Sequence, residues 1–511
     1  MRTAANLRKF VREAAALLAR ERDFSAFEIY CSTSEHRVAR LNFTSDIPSR
    51  GLEEFKSLNA DGFALRVVMS RDPHETGSAT EAGDLSLDAV RTTMQRARAT
   101  TVVDPHFPGL PTEPRKFAPP KDADGASDLM RARDGAIAAA AWQMVGGAIS
   151  AFESGASLKL PHPGLIVGGD LSLIRDRIAI ASSAFADIRS DESAHFVSSV
   201  TALIESLDAK GTATAMGSSL DQMGRAGARL GHDAVARALK LRHGERPHPG
   251  PYRVVLGSQP VAEIINYMVI GSLTTGAFHS ATSAYHGRFG TRVMDERLSL
   301  ADDPLAKSGP VRRRITCEGL PAGRTEMIHD GRLVGLISNF YDAHRLLTDE
   351  HRTERLGPAA PTTIEFPVRS GYRLGESPAR RYDAHPGSTG SNVIMRTKSG
   401  VDERELIATV RDGIYIGRIW YTYPINGQRA GDFTCTVSGD SYVIRNGQIA
   451  APLAPNCFRI NANIEQVFTK PLAVGKRSEL AVIWGSPEAY FVPAIALDEI
   501  TLAQVGAAES Y

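Results

Sequence analysis

From residue 242 to 251 the chain reads Arg242-His243-Gly244-Glu245-Arg246-Pro247-His248-Pro249-Gly250-Pro251. No helix can cross such a run, because proline lacks the amide donor and glycine gives up the most backbone freedom. The helical spacing from roughly Gly224 to Leu241 must therefore end there, and a new unit must start near Pro249. With 511 residues, and about 150 residues per domain as a prior, this stop divides the chain into a mixed first half and a differently patterned second half.

Leu7, Phe10, Val11, Ala14, Leu17 and Leu18 recur at helical spacing. Arg8, Lys9, Arg12 and Glu13 interrupt them, so no secretory h-region is read there. Phe27 to Cys31 and Phe63, Leu65, Val67, Met69 alternate as strands do. Ser86 is placed to cap a helix running to about Thr100. Six prolines between Pro105 and Asp124 read as a linker or surface loop. A helix capped by Ser127 is expected to about Ala151, with Leu165–Val167 and Ile178–Ile180 as two further strands. The Ala/Gly-rich stretch Gly135 to Ser150 reads as too short to span a membrane.

After the boundary, Tyr252 to Leu256 reads as a strand. Asp330-Gly331 and Asn446-Gly447 stand between short apolar runs and predict type I′ hairpins, whose central residues need positive φ. The polar, Pro/Gly-rich stretch 351–390 reads as a long mobile loop or lid. The predicted division is an N-terminal α/β domain (1–104), a linker (105–126), a central α/β segment (127–248) and an antiparallel β-rich domain (249–511). The fold class is α+β.

Lys plus Arg number 59 and Asp plus Glu 58. With a net charge of +1 and no basic run longer than Arg312-Arg313-Arg314, nucleic acid is disfavoured as a ligand. Cys31, Cys317, Cys435 and Cys457 form no C-x-x-C, which fits free thiols in a reducing cytoplasm. No P-loop, no G-x-S-x-G elbow and no strand-to-helix G-x-G-x-x-G occurs. His243 and His248 have metal-like spacing, but Gly244 and Pro247 deny them a helical platform. His279 and His286 read as loop histidines, Asp302-Asp303-Pro304 as a turn, and Cys435 as a core thiol in an alternating strand.

Several phrases occur together in one order: Gly290-Thr291-Arg292-Val293, Leu298-Ser299-Leu300, Asp302-Asp303-Pro304, Glu318-Gly319-Leu320-Pro321 and Arg324-Thr325. They continue with Tyr341, Ala343, Leu346, Ser391-Asn392, Gly413, Asn426, Gly431-Asp432-Phe433, Ser438-Gly439 and Asn446-Gly447. Upstream, Gly62 to Val67, Leu85-Ser86 and Pro249 to Leu256 fit the same series. The ordered set resembles the TldD/PmbA family of metallopeptidase-related proteins over nearly the whole chain.

The resemblance implies what to look for next. TldD-type members carry a His-Glu-x-x-x-His helix whose histidines bind zinc, with a distant Cys completing the set. The corresponding positions here are Asn266, Tyr267 and Gly271, and the C-terminal region Trp484-Gly485-Ser486-Pro487 has no Cys. An amide, a phenol and a glycine cannot hold Zn²⁺ against water. The chain thus resembles the PmbA/TldE type, which implies a metal-free subunit that pairs with a zinc-bearing TldD-type partner around a cavity where extended peptide is cleaved. Ser391, Asn392, Asn426, Asp432 and Phe433 are the candidate cavity or peptide contacts. Two other readings stand beside it. One is a stand-alone metal-free enzyme with Tyr267 as acid or Asp432 as base. The other is a homo-oligomeric peptide- or partner-binding protein. None of the three involves a membrane.

Overall fold

Residues 1–47, 50–112, 127–155, 164–375 and 377–505 are described by the structure, a computed structural model. The first helix, α1 (Ala4–Leu18), is capped by the Thr3 hydroxyl and buries Leu7, Phe10, Val11, Ala14 and Leu18, as its spacing predicts. There follow β1 (Phe24–Thr44), β2 (Lys56–Met69), β3 (Glu75–Ala82), α2 (Leu87–Ala99) and β4 (Val102–Val103). Ser86 does cap α2, accepting from Ala89 N. Next come α3 (Asp134–Gly155), β5 (Leu165–Ser182), β6 (Arg189–Ile204), β7 (Ala209–Gly217) and α4 (Leu220–Lys240).

All seven strands form one antiparallel sheet in the order β4-β3-β2-β1-β5-β6-β7. The two short strands expected at Leu165–Val167 and Ile178–Ile180 are the two ends of β5, which pairs with β1 from Glu28↔Ser182 to Thr44↔Ile166. Residues 1–104 and 127–248, divided in the sequence reading, therefore share one sheet. Residues 113–126 of the expected linker lie outside the described residues, while Phe107 and Leu110 pack with Val68. Ser127 caps a 3₁₀ turn, Asp128–Arg131, and not the long helix, because Ala132 is extended and α3 restarts at Asp134.

At 22 residues, α3 starts later than expected and runs on to Gly155, and it is the one described helix long and apolar enough to cross a membrane. It turns Ile137, Ala140, Ala141, Met144, Val145, Ala148 and Ala151 inward. Against α4 it packs so closely that a Cβ on Gly231 would lie 1.7 Å from Met144 O.

The second half begins with β8 (Gly250–Leu256), α5 (Ser258–Ile264), α6 (Thr275–His279), β9 (Leu298–Asp302), β10 (Thr325–His329), β11 (Arg332–Leu333), α7 (Phe340–Thr348) and α8 (Arg352–Leu356). It continues through β12 (Gly371–Arg373), β13 (Pro386–Ser388), β14 (Asn392–Thr397), α9 (Glu403–Val410), β15 (Gly413–Ile416), β16 (Arg418–Pro424), β17 (Asp432–Gly439), β18 (Tyr442–Arg445) and β19 (Gln448–Pro452). It closes with β20 (Phe458–Asn463), α10 (Ile464–Phe468), β21 (Ala473–Val474), β22 (Glu479–Ala481), β23 (Ala489–Val492) and β24 (Ile495–Gln504).

A nine-stranded sheet runs β16-β17-β20-β24-β8-β15-β18-β19, with β21 on β24. A six-stranded sheet runs β11-β10-β9-β14-β23-β22. Within them, only β8–β15 and β14–β23 are parallel among the described pairings. Both hairpins form as predicted, with positive φ at Asp330 (46°), Gly331 (76°), Asn446 (51°) and Gly447 (73°).

The stretch 351–390, expected to be a mobile loop or lid, is anchored to the interior at several described residues. It carries α8 and the β12–β13 pair, and it buries Tyr372 and Arg380. Arg380 Nε donates to Asp176 Oδ1 at 2.8 Å and Nη1 to Asp191 Oδ2 at 2.7 Å, both on the first sheet. Nearby Tyr30, Ile178 and Ile180 pack on Ile315, Cys317 and Tyr382. Order here comes from pairing with residues some two hundred positions away, which a local Pro/Gly composition cannot signal.

Candidate functional site

Between the two C-terminal sheets, α5 contacts β8 and β16 on one side and β22 and β23 on the other. It does not end in a regular turn. Ile265–Ile270 is π-helical and Gly271–Leu273 is 3₁₀. Single π turns are rare and recur at functional sites. Ile265, Met268, Val269 and Ile270 are buried, so this widened turn leaves Asn266, Tyr267 and Gly271 on its open side. Asn266 is half-buried, and its Oδ1 accepts from Tyr490 Oη at 2.8 Å. Tyr267 is 38% exposed. A Cβ on Gly271 would meet nothing within 4 Å, so packing does not demand the glycine.

The β16 wall is tied down by amides. Gln259 Oε1 accepts from Ile419 N at 3.0 Å, and its Nε2 donates to Ile419 O at 3.2 Å and to Glu263 Oε2 at 2.9 Å. One side chain thus fills the strand-edge hydrogen bonds at Ile419. Farther along, the pairing with β17 slips between Trp420 and Tyr423, and Tyr421 sits at φ 53°. That conformation is strained for an aromatic residue. The resulting bulge presents Tyr421, Tyr423 and Ile425 to solvent. Gln428 Nε2 then donates to Met268 O at 2.7 Å and Ser272 Oγ at 3.2 Å, holding the π turn from outside. On the other wall, Trp484 in the β22–β23 loop is 79% exposed.

Glu263 was missed in the sequence reading. It stands on α5 one turn before Tyr267, and burial pushes its carboxyl up to about 7 despite Arg418 nearby. Its only signal was an acid within Val261-Ala262-Glu263-Ile264-Ile265. Burial, and then Glu263, raise the Tyr267 phenol above its ordinary value.

The other candidates are mostly committed to structural roles. Ser391 and Asn392 are fully buried, and both backbone amides donate to Asp302 Oδ1, at 2.7 and 3.0 Å. The Asn392 amide group is used on Asp303 O, Val311 O and Val311 N. Phe433 lies in the same core cluster as Ile265, Met268, Val269 and Ile270 of the π turn. Asn426 is exposed, and with Asn463 it donates to Asp432, which holds that carboxyl below its usual range. Only Asp303 makes the expected turn, accepting from Leu305 N. Asp302 is fully buried, its Oδ2 has no partner, and burial pushes it up to about 7. Cys435 is buried, and burial raises its thiol. His279 pairs with Asp349 at 3.2 Å, and His286 lies beside Arg429. Among the described residues no group of three or more His, Cys, Asp or Glu is arranged to hold a metal ion.

Residues 249–504 match the family model described as PmbA/TldA metallopeptidase C-terminal domain. A metalloprotease of Synechocystis sp. is 28% identical over 159 residues, which is 29% of this chain and 27% of that protein's length. Among solved structures, TldE from Thermococcus kodakarensis is similar with a TM-score of 0.74 at 15% identity, covering 98% of this chain and 100% of that one. A protein described as a modulator of a DNA gyrase from Thermotoga maritima gives 0.72 at 14%, covering 97% and 99%. One so described from Bacteroides thetaiotaomicron gives 0.69 at 16%, covering 97% and 98%.

Proposed function

The chain belongs to the PmbA/TldD metallopeptidase family, and on that basis we propose that it is a metal-free, PmbA/TldE-type subunit of a heterodimeric zinc peptidase. One observation carries the reading. At the three positions where the family's zinc motif would stand, the donors do not fit the metal. The Asn266 oxygen is already engaged by Tyr490, Tyr267 is a phenol raised above its ordinary value, and Gly271 offers no side chain. Zinc sites are built from imidazole, thiolate and carboxylate. No catalytic step is assigned to this chain. Its part is to wall a cavity and to hold extended peptide beside a TldD-type partner, which would supply the zinc. The exposed Tyr267, Tyr421, Tyr423 and Trp484 are suited to that contact. A cytoplasmic location fits the four buried free thiols.

The test is metal content by mass spectrometry, on the chain alone and after co-expression with a TldD-type chain. No zinc alone and about one per heterodimer is the expected result. Stoichiometric zinc in the isolated chain would overturn it.

A second reading, a stand-alone metal-free enzyme, draws on Glu263. A carboxyl near neutrality one helical turn from Tyr267 is the kind of pair that moves protons. Peptide turnover by the zinc-free chain that is lost in Glu263→Gln would favour it.

A further inference from the structure

The first sheet meets the nine-stranded sheet where β7 reaches the end of β17: a Cβ on Gly439 would lie 3.9 Å from Lys210 O. There Lys210 lays its ammonium over the Trp420 ring, 4.3 Å from the centroid. Lys210 is half-buried and makes no ion pair among the described residues. The carboxylate close by, Asp440, is shared by Arg237 Nη1 and Arg418 Nε, both at 3.5 Å. Glu263, which also faces Arg418, is a poor counter-charge because burial favours its neutral form. Two guanidiniums thus share one oxygen of Asp440, whose Oδ1 is buried without a partner, and Lys210 adds a third cation beside Arg418. Burial and Arg418 both hold the Lys210 ammonium below its usual range, as expected of a cation without a counter-ion. The Trp420 indole N–H is also buried without an acceptor. Trp420 in turn packs at a tilt against the exposed Tyr421, with centroids 4.8 Å apart.

A half-buried ammonium held by a ring face alone, beside an orphan N–H, is costly unless an acceptor joins it. We propose that the Lys210–Trp420 corner binds the C-terminal carboxylate of a peptide whose chain runs out over Tyr421 and Tyr423. This rests on the reading of the chain as part of a peptide site, and it deepens that reading by naming the end of the peptide that docks here. A carboxylate supplies the missing charge and accepts a charge-assisted bond from Lys210. The exposed rings of the bulged strand then cover apolar side chains of the residues before it.

The experiment is fluorescence anisotropy on the full chain with two probes. Both are the same fluorescein-labelled octapeptide of alanine, leucine and phenylalanine, one with a free C-terminal carboxylate and one carboxamidated. The free acid should bind at least about tenfold tighter, a difference of roughly 1.4 kcal/mol. Lys210→Met, which keeps the aliphatic packing on Trp420, should bring the acid down to the amide's affinity and leave the amide unchanged. Lys210→Arg should keep most of the preference, and Tyr421→Ala should weaken both probes alike. Equal affinities in the wild type, an unchanged acid in Lys210→Met, or no binding of either probe would overturn the site. The zinc measurement separates the two proposals. Zinc on a co-purifying partner without acid preference removes only the carboxylate site, and acid preference without such a partner removes only the heterodimer.

Discussion

Tyr490 donates its hydroxyl to Asn266 Oδ1 across 2.8 Å, fastening β23 of the six-stranded sheet to the π turn. The tie spans 224 positions of sequence, and it occupies an oxygen that would otherwise face the open side of the helix. Tyr490→Phe should cost about 1–3 kcal/mol, because a half-buried acceptor loses its donor while the ring stays packed. Urea unfolding gives the cost. Hydrogen exchange should quicken over 265–271 and not in the first sheet.

Arg380 is fully buried between Asp176 and Asp191. Asp191 is also held by Arg314, but without Arg380 the buried Asp176 is stranded, at about 3–5 kcal/mol. Arg380→Met should lower the unfolding free energy by that order. Added salt should barely change the difference, since buried charges are poorly screened. A loss below 1 kcal/mol would mean that Asp176 finds another partner.

Asp302 and Glu263 are both raised to about 7, chiefly by burial. Unfolded, each titrates near 4. The folded chain therefore holds these protons more tightly, so their contribution is full below about pH 4 and is lost as pH rises to about 7. Each group adds up to about 1.4 kcal/mol of loss per pH unit in that window. Around Asp302 stand Glu488, Arg313 and the amides of Ser391 and Asn392. Asp302→Asn should remove one group's slope, so the variant gains on the wild type between pH 5 and 7 in denaturation curves. Parallel curves would refute it.

Gly231→Ala tests the α3–α4 contact. The added methyl would sit 1.7 Å from Met144 O, with Ala148 N behind it at 2.8 Å. Backbone cannot yield as a side-chain tip does, so the helices must separate. A loss of about 1–3 kcal/mol is expected by calorimetry or urea unfolding. Gly224→Ala, on the same helix with open space around it, should be neutral or slightly stabilising.

Elements set by local chemistry were legible in the sequence. The α1 stripe, the Ser86 cap and the two positive-φ hairpins appear where their residues predict. The α+β class and the family likewise follow from pattern and phrase order. What escaped was set at long range. The continuity of β5 is decided by its partner β1. The order of 351–390 depends on aspartates on the first sheet. At the site, Asn266, Tyr267 and Gly271 stand on the open side of one widened turn, while Ser391 and Asn392 are polar residues spent on holding Asp302. Glu263 passed unnoticed because an acid matters there only once β16 and β17 have closed over it.

The Arg380 clasp also bears on how the chain is made. Synthesis completes the first sheet and α4 by residue 240, yet the cations that neutralise its acids lie later, Arg314 on Asp191 and Arg380 on both Asp176 and Asp191. At ~5–20 residues per second, Asp176 waits on the ribosome for roughly 7–30 s without its cation. The nascent sheet can form early through its helices, but its second face closes only when the later half arrives to seal it.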